Sequence, residues 1–395
     1  MAKILVANKF YYPRGGDCIY TIDLVRLLQS HGHDVAVFAM QHPETLQTAW
    51  NEYFPEEVKF GMAASSFKAV LRPFGAADVI QKFNALLDDF KPDIVHLNNI
   101  HSQLSPVIAE VAHSRGVKVF WTLHDHKLLC PRYDCLRNGM ICEQCLESPY
   151  NVVKHKCLNN SYIASTIAYL EAKKWNRERL EKCTDRFIAP SLYMLKKMNS
   201  GKFSSSKLTQ LYHFVDKKKY EKVDYEKEDY YCFVGRLSPE KGVATLIEAV
   251  GQLPYKLKIV GDGPLKEELM AKVNKNVLVE FLGFKSWKEV KAIVSKARFI
   301  VVPSECNEVL GLVALEALCV GTPVLGARIG GIPELIEDGF SGMTFESRNV
   351  DDLKAKINMM WNARFDYEAL AEYSQQKYGA ESYYRQLMNI YEQLV

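Results

Sequence analysis

The chain has 395 residues, more than one ordinary core of about 100–200 residues accommodates, so two domains are expected. Its 48% hydrophobic and 25% charged residues are globular composition, which excludes a disordered chain, a fibrous one and a single small scaffold. Fifty Lys and Arg against 47 acids leave a net charge of +3, too little over this length to mark a nucleic-acid binder, so any basic patch must be local.

In chain order, the opening apolar run from Ile4 to Ala7 stops at Asn8 and Lys9, far short of a signal-peptide core or of the roughly 18 or more residues of a membrane span. No later run reaches that length. Ten cysteines without such a leader point to a reducing compartment, and a cytoplasmic location is expected. Strand Ile4–Ala7, helix Ile19–Ser30 and strand Val35–Ala39 set a βαβ rhythm. Short apolar strands at Ile94–Leu97, Val117–Leu123 and Arg186–Ala189 suit a parallel sheet covered on both faces. Residues Asp216 to Asp229 carry the charged run Lys-Lys-Lys-Tyr-Glu-Lys-Val-Asp-Tyr-Glu-Lys-Glu-Asp, with no core face, and read as a linker.

The rhythm restarts with strand Tyr231–Val234, helix Glu240–Val250, strand Leu257–Val260, helix Leu265–Val273, strand Val277–Phe281, helix Trp287–Ala297 and strand Phe299–Val302. Helical patterns at Asp351–Trp361, Tyr367–Gln376 and Ser382–Leu394 close the chain. The fold class is α/β: two Rossmann-like, doubly wound domains facing a deep inter-domain cleft. The expected boundaries are 1–215 for the first domain, with a Cys-rich insertion at 130–157, 216–229 for the linker and 230–377 for the second domain. A C-terminal helix over 378–395 is expected to pack back on the first domain. Open α/β sheets bind ligands at the carboxyl ends of their strands, so the cleft is the expected site.

The most informative stretch runs from Pro303 to Ala317. A strand ends at Ser304 and a helix begins near Gly311, whose unpaired N–H groups and partial positive charge suit a phosphate or diphosphate. Glu308 precedes that end, and Glu316 lies roughly 7.5 Å further along the axis at 1.5 Å per residue. The two carboxylates thus bracket a diphosphate, where they can accept hydrogen bonds from the hydroxyls of a sugar nucleotide. On spacing alone, a solvated cap and a surface helix residue satisfy the same pattern. The turn Gly235-Arg236-Leu237-Ser238-Pro239-Glu240-Lys241-Gly242 puts Arg236 and Lys241 at the carboxyl edge of the second sheet. Two fixed cations there stabilise a departing nucleoside diphosphate without a metal, although an ion pair with Glu240 is the plainer use for one of them. Gly261-Asp262-Gly263-Pro264 ends the next strand as a turn.

Taken together, the second half resembles the retaining GT-B glycosyltransferases of family 4. The matching segments are Gly235 to Gly242, Gly261 to Pro264, the Glu308/Glu316 pair, Gly321-Thr322-Pro323-Val324, and Gly330-Gly331-Ile332-Pro333-Glu334. The resemblance implies that Arg236 and Lys241 hold the donor diphosphate, Glu308 the hydroxyls of the transferred sugar and Glu316 the ribose. It puts the backbone N–H groups of Leu310, Gly311 and Leu312 on the phosphates and Gly261 and Asp262 near the base and ribose.

In the first half, Tyr12-Pro13-Arg14-Gly15-Gly16 follows the first strand, and Gly15 and Gly16 let the backbone approach a phosphate or acceptor closely. No G-x-G-x-x-G occurs here, which argues against hydride transfer. Thr122-Leu123-His124-Asp125-His126 ends another strand, and the resemblance assigns His124 to the transferred sugar. Asp125 and His126 read more simply as local capping groups.

Five cysteines cluster at Cys130, Cys135, Cys142, Cys145 and Cys157. Cys142 and Cys145 form a C-x2-C pair, so a structural zinc on Cys130, Cys142, Cys145 and Cys157 is a candidate, beside thiols that merely pack. Tyr162 to Cys183 reads as one helix combining Ile163, Ile167, Leu170, Trp175 and Leu180 with Lys173, Lys174, Arg177, Arg179 and Lys182. Such a helix either rests on anionic membrane or packs on the core with a solvated basic face.

The implied activity is metal-independent, retaining transfer of a hexose-type sugar from a UDP- or GDP-linked donor to a glycan, lipid-linked in surface polysaccharide, lipopolysaccharide or capsule assembly. No catalytic cofactor and no nucleic acid are expected, and the enzyme is placed in the cytoplasm, at the inner face of its membrane. A nucleotide-sugar 2-epimerase of the same fold and a non-catalytic sugar-nucleotide-binding protein are the alternatives.

Overall fold

A computed structural model describes residues 1–58, 70–251, 253–273 and 278–394. Val277, the expected start of a strand, and Val395 lie outside these residues. Two compact units are present: Met1–Cys135, Cys142–Leu211 and the residues from Tyr384 onward make unit one, while Leu136–Ile141 and Tyr212–Tyr383 make unit two.

Unit one runs β1 (Lys3–Ala7), α1 (Gly16–Ser30), β2 (Asp34–Phe38), α2 (Ala77–Phe90), β3 (Ile94–Leu97), α3 (Val107–Ser114) and β4 (Lys118–Thr122). After the short hairpin β5 (Leu136–Arg137) and β6 (Met140–Ile141), which groups with unit two, come α4 (Asn151–Lys154), α5 (Tyr162–Lys174), α6 (Arg177–Lys182), β7 (Arg186–Ala189), α7 (Leu192–Ser200) and β8 (Leu208–Gln210). The six strands of unit one pair in parallel in the order β2-β1-β3-β4-β7-β8. Ile4, Leu5, Val6 and Ala7 are all fully buried, as continuous apolar strands must be when helices cover both faces of a parallel sheet.

Unit two continues with β9 (Tyr230–Val234), α8 (Val243–Val250), β10 (Lys256–Val260), α9 (Lys266–Lys272), β11 (Val279–Gly283), α10 (Trp287–Lys296), β12 (Ile300–Val302), α11 (Leu312–Cys319), β13 (Val324–Ala327), β14 (Gly342–Phe345), α12 (Val350–Asn362) and α13 (Tyr367–Tyr378). Its sheet is parallel in the order β11-β10-β9-β12-β13-β14. Alternate residues of β9 feed different cores, Tyr231 and Phe233 on one face and Tyr230 and Cys232 on the other. The last helix, α14 (Ala380–Glu392), brings Tyr391 into unit one, where its hydroxyl lies 2.5 Å from Nδ1 of the buried His96.

In each sheet the chain first winds one way and then the other. The reversal falls between β1 and β3 in unit one and between β9 and β12 in unit two. At such a point the loops leaving the two central strands diverge and open a crevice at their carboxyl ends. Gly15, Arg236, Lys241, Glu308 and Leu310 lie on or at the ends of these loops, while His124 follows β4, Gly261 and Asp262 follow β10, and Glu316 lies within α11.

Two expectations are corrected. Residues 162–183 do not form one helix: α5 ends at Lys174, Trp175 leaves helical geometry at φ −95° and ψ 52°, and the Asn176 side chain accepts from Arg179 N to cap α6. Trp175 and Leu180 are buried rather than presented on a surface. The segment 216–229 does have a core face, since Tyr220 and Val223 pack against the unit-two core. Among the described residues no helix is long and apolar enough to cross a membrane.

Candidate active site

In unit two the turn after β9 is clamped onto the loop after β12. Gly242 has φ +66°, and a Cβ there would lie 1.9 Å from the Pro303 carbonyl oxygen, so only glycine permits this approach. Glu305 N donates to Glu240 O at 2.8 Å beside it. The clamp delivers Lys241 to Glu308, and Nζ donates to Oε1 at 2.5 Å. Ser304 Oγ donates to the same carboxylate oxygen at 2.9 Å. Burial alone would lower the Lys241 ammonium, but the charge and hydrogen bond of Glu308 outweigh it and raise Lys241 above its ordinary value. The alternative, an ion pair of a cation with Glu240, is not formed among the described residues: Glu240 accepts from Ser238 Oγ at 2.6 Å.

Glu308 is fixed through its backbone as well. Gly331 N donates to Glu308 O at 2.8 Å, and Gly330, at φ +58°, lies so close that a Cβ would come within 2.3 Å of that oxygen. This contact explains physically why paired glycines stand at 330 and 331. Immediately downstream, Gly311 caps α11 in the left-handed region at φ 93° with no side-chain cap. Among the described residues, the backbone N–H groups of Leu310, Gly311 and Leu312 have no carbonyl acceptor. They are unspent donors at the positive end of a helix dipole, suited to anionic oxygen.

Arg236 is exposed and makes no ion pair or hydrogen bond through its side chain among the described residues. Its turn lies along the one after β10, with Gly235 N to Val260 O at 3.0 Å and Leu237 N to Asp262 O at 2.9 Å. Gly261 N reaches Gly283 O at 2.9 Å. The Asp262 carboxylate is engaged locally, by Lys266 Nζ and Gly263 N, each at 2.8 Å, and the Lys266 contact holds it below the usual carboxylate range.

Glu316 meets a partner that sequence reasoning did not assign to it. Lys219 Nζ donates to Oε1 at 2.9 Å and lies 5.3 Å from the centre of the Trp287 ring. In the sequence Lys219 reads only as part of a charged linker, and neither residue type nor spacing announces a pair of residues 97 positions apart.

In unit one, Gly15 caps α1 in extended geometry and Gly16 opens it. His124 Nε2 lies 2.9 Å from Asn98 Oδ1, and Tyr20 meets the imidazole edge-on with centroids 5.0 Å apart. Burial, then neighbouring His96 and Lys9, push His124 down to about 3, so the ring is neutral near pH 7. With Asn98 Oδ1 accepting, that neutral ring carries its hydrogen on Nε2. Asp125 accepts from Asn99 Nδ2 at 3.2 Å and from Lys127 N at 2.8 Å, and burial raises its carboxyl above the usual range. His126 is buried, with Nε2 3.2 Å from Tyr193 OH.

Two more side chains at this edge carry no distinguishing sequence signal. Asn99 Oδ1 and Asp17 Oδ2 are buried acceptors without a hydrogen-bond partner. They follow β3 and β1, the strands that flank the reversal in unit one. A cavity of about 220 Å³ in the same unit is lined by His101, Leu129, Leu146, Trp175 and the ion-paired Lys127 and Glu171, whose Nζ and Oε2 are 2.8 Å apart.

The cysteine-rich segment brings its thiols close to one another. The Cys130 thiol meets Cys135 and Cys145, and its hydrogen bonds with them hold it well below the ordinary thiol range. Among the described residues no group of three or more His, Cys, Asp or Glu side chains is placed to hold a metal ion, and no disulfide joins the ten cysteines. Cys145 nevertheless has Cys130, Cys142 and Cys157 as its electrostatic neighbours, so the four thiols of the candidate zinc set lie in one neighbourhood.

Comparison with known proteins supplies the remaining observation. Residues 14–219 match the model of Glycosyltransferase Family 4 and residues 215–377 that of Glycosyl transferases group 1. An uncharacterized glycosyltransferase of Methanocaldococcus jannaschii is 33% identical over 218 residues, covering 53% of this chain and 60% of that protein. An uncharacterized 42.6 kDa protein in the cps region of Klebsiella pneumoniae is 27% identical over 351 residues, 84% of this chain and 87% of its own. Anabaena HepE, solved with UDP and glucose, superposes with a TM-score of 0.66 at 19% identity over 100% of both chains. The parallel α/β units and their loops thus belong to the GT-B fold. With one family model spanning more than half of the sequence, the chain is a member of glycosyltransferase family 4.

Proposed function

We propose that this glycosyltransferase moves a hexose-type sugar, with retention at the anomeric carbon, from a UDP- or GDP-linked donor to a hydroxyl of a glycan acceptor. The observation that carries the reading is the Lys241–Glu308 pair held beside the unspent N–H groups of Leu310, Gly311 and Leu312. A fixed cation and oriented backbone donors stabilise the negative charge that grows on a departing diphosphate, with Arg236 as the second cation. These groups supply the charge that a metal supplies in other transferases, so the reading needs no catalytic metal.

The bond from the anomeric carbon to the donor phosphate breaks, the acceptor oxygen bonds to that carbon on the same face, and the acceptor proton passes to the departing phosphate. Glu308 and His124 orient the hydroxyls of the transferred sugar in this scheme, and Glu316 accepts from the ribose. Asn99 Oδ1 and Asp17 Oδ2 suit a hydroxyl-rich acceptor, because unsatisfied buried acceptors gain most from a ligand that brings O–H donors. The UDP bound in HepE favours a uridine donor, and the cps-region relative favours a surface-polysaccharide acceptor, lipid-linked at the cytoplasmic face.

The test is a thermal-shift screen of UDP, GDP, ADP and their sugar conjugates, since a ligand that binds only the folded state raises its melting temperature. UDP or UDP-sugar should stand out. Release of free UDP only when acceptor is added then separates transfer from 2-epimerisation and from binding without turnover. Failure of every nucleotide to shift the melt would overturn the reading.

A further inference from the structure

We infer that residues Tyr150 to Lys173 of unit one form a docking face for an anionic lipid bilayer. The face is built from α4, α5 and the turn between them. On α5 the exposed residues are Tyr162, Ile163, Thr166, Leu170 and Lys173, which at steps of about four share one side of the helix. Large apolar side chains stand in water there: Ile163 is 77% exposed, Tyr162 59% and Leu170 46%, with Tyr150 at 54% from the preceding helix boundary. Tyr150 is steadied edge-on against Tyr169, with centroids 5.6 Å apart, so it belongs to the same assembly. Apolar tips held in water on one face gain by transfer to an interface, at about 25 cal/mol per Å² of area buried.

Charge decides which interface. Between residues 148 and 176 the sole acidic side chain is Glu171, and it is buried against Lys127 on the other side of α5. The lysines of the same stretch are Lys154, Lys156, Lys173 and Lys174. Lys174 turns inward to Phe74 O at 2.5 Å, while Lys154 and Lys173 are exposed and Lys156 lies 4.4 Å from the Tyr162 ring centre. The face therefore offers aromatic and aliphatic tips ringed by cations, with no exposed carboxylate between residues 148 and 176 and the exposed Glu147 and Glu178 flanking that stretch. That pairing fits the headgroup region of an anionic leaflet, where tyrosines and isoleucine enter the acyl boundary and lysines reach the phosphates. The basic residues nearer the chain's next helix do not contribute: Arg179 is paired with Glu110 and Arg177 with the Lys202 carbonyl.

The inference does not depend on the donor chemistry, and its test separates the two. Full-length protein is sedimented with vesicles of phosphatidylcholine mixed with phosphatidylglycerol, and with phosphatidylcholine alone, at low and high salt. Binding is expected to the anionic vesicles and to fall with salt. Lys154→Gln with Lys173→Gln should weaken it roughly fivefold per lysine, and Ile163→Ser with Leu170→Ser should remove most of it. All four positions are exposed, so melting temperatures and nucleotide-induced thermal shifts should stay unchanged. Equal binding to neutral and anionic vesicles, or binding insensitive to both double variants, overturns the inference. So does absence of vesicle binding together with self-association that Ile163→Ser and Leu170→Ser abolish, because the face would then cover a second copy of the chain.

Discussion

Gly242→Ala tests the clamp that holds Lys241 against Glu308. The substitution pays twice: an L-residue in the left-handed region costs about 1–2 kcal/mol, and the new Cβ, 1.9 Å from Pro303 O, must push two backbone segments apart. Parting them breaks the 2.8 Å bond from Glu305 N to Glu240 O, worth about 1 kcal/mol. The sum is roughly 2–3 kcal/mol, or about 4–12 °C in melting temperature at about 2–4 °C per kcal/mol for a domain of this size. Gly339→Ala is the matched control, because Gly339 also has positive φ, +82°, but faces open space within 4 Å. It should lose only the conformational part. Calorimetry of the two variants, alone and with UDP, reads both consequences. Gly242→Ala should melt lower than Gly339→Ala and show a smaller nucleotide-induced shift. Equal melting temperatures and equal shifts would refute the clamp.

Glu308→Ala should cut turnover well over tenfold with the fold intact, checked by steady-state rates beside circular dichroism; a normal rate removes Glu308 from the site. Arg236→Ala combined with Lys241→Ala should cost on the order of 3 kcal/mol of transition-state stabilisation, more than a hundredfold in rate, and a near-normal rate would sink the two-cation reading. Lys227 Nζ is tucked against Ser295 O at 2.6 Å and Thr322 Oγ1 at 2.9 Å, and burial pushes it from 10.5 down to about 7. The unfolded chain then binds the extra proton between about pH 7 and 10.5, so this residue's contribution makes stability rise with pH across that window. Urea titrations should show Lys227→Met flattening the rise, and an unchanged slope would contradict the assignment. Tyr391→Phe leaves the buried His96 Nδ1 without its 2.5 Å partner and should cost about 1–3 kcal/mol, read as a lower urea midpoint.

Much of the fold was legible because hydrophobic periodicity is a local signal. The strands at Ile94–Leu97 and Arg186–Ala189 fall at their expected bounds, and most of the other elements read from periodicity differ by a residue or two at their ends, whereas α2, α3, α7, β8, β13 and β14 are not among those read. The exceptions have local causes that pattern reading underrated. Asn176 caps a new helix and so splits the run from Tyr162 to Cys183. Pro239 to Lys241 forms a 3-10 turn, which delays α8 until Val243.

The order of motifs along the second half was enough to place the glycine turns, the cations and the two glutamates on one family pattern. Residue type alone also marked Lys241 and Glu308 as chemically apt. Their pairing was not in the sequence, because it depends on parallel strands β9 and β12 lying side by side across 67 residues and on a glycine that admits a carbonyl oxygen. The same holds for Lys219 on Glu316, for Asn98 on His124 and for the cysteines that meet. Periodicity and capping act over a few residues and are written into neighbouring side chains. Ion pairs, orphaned acceptors and thiol contacts arise only when tertiary packing closes long loops and excludes water from the groups it brings together.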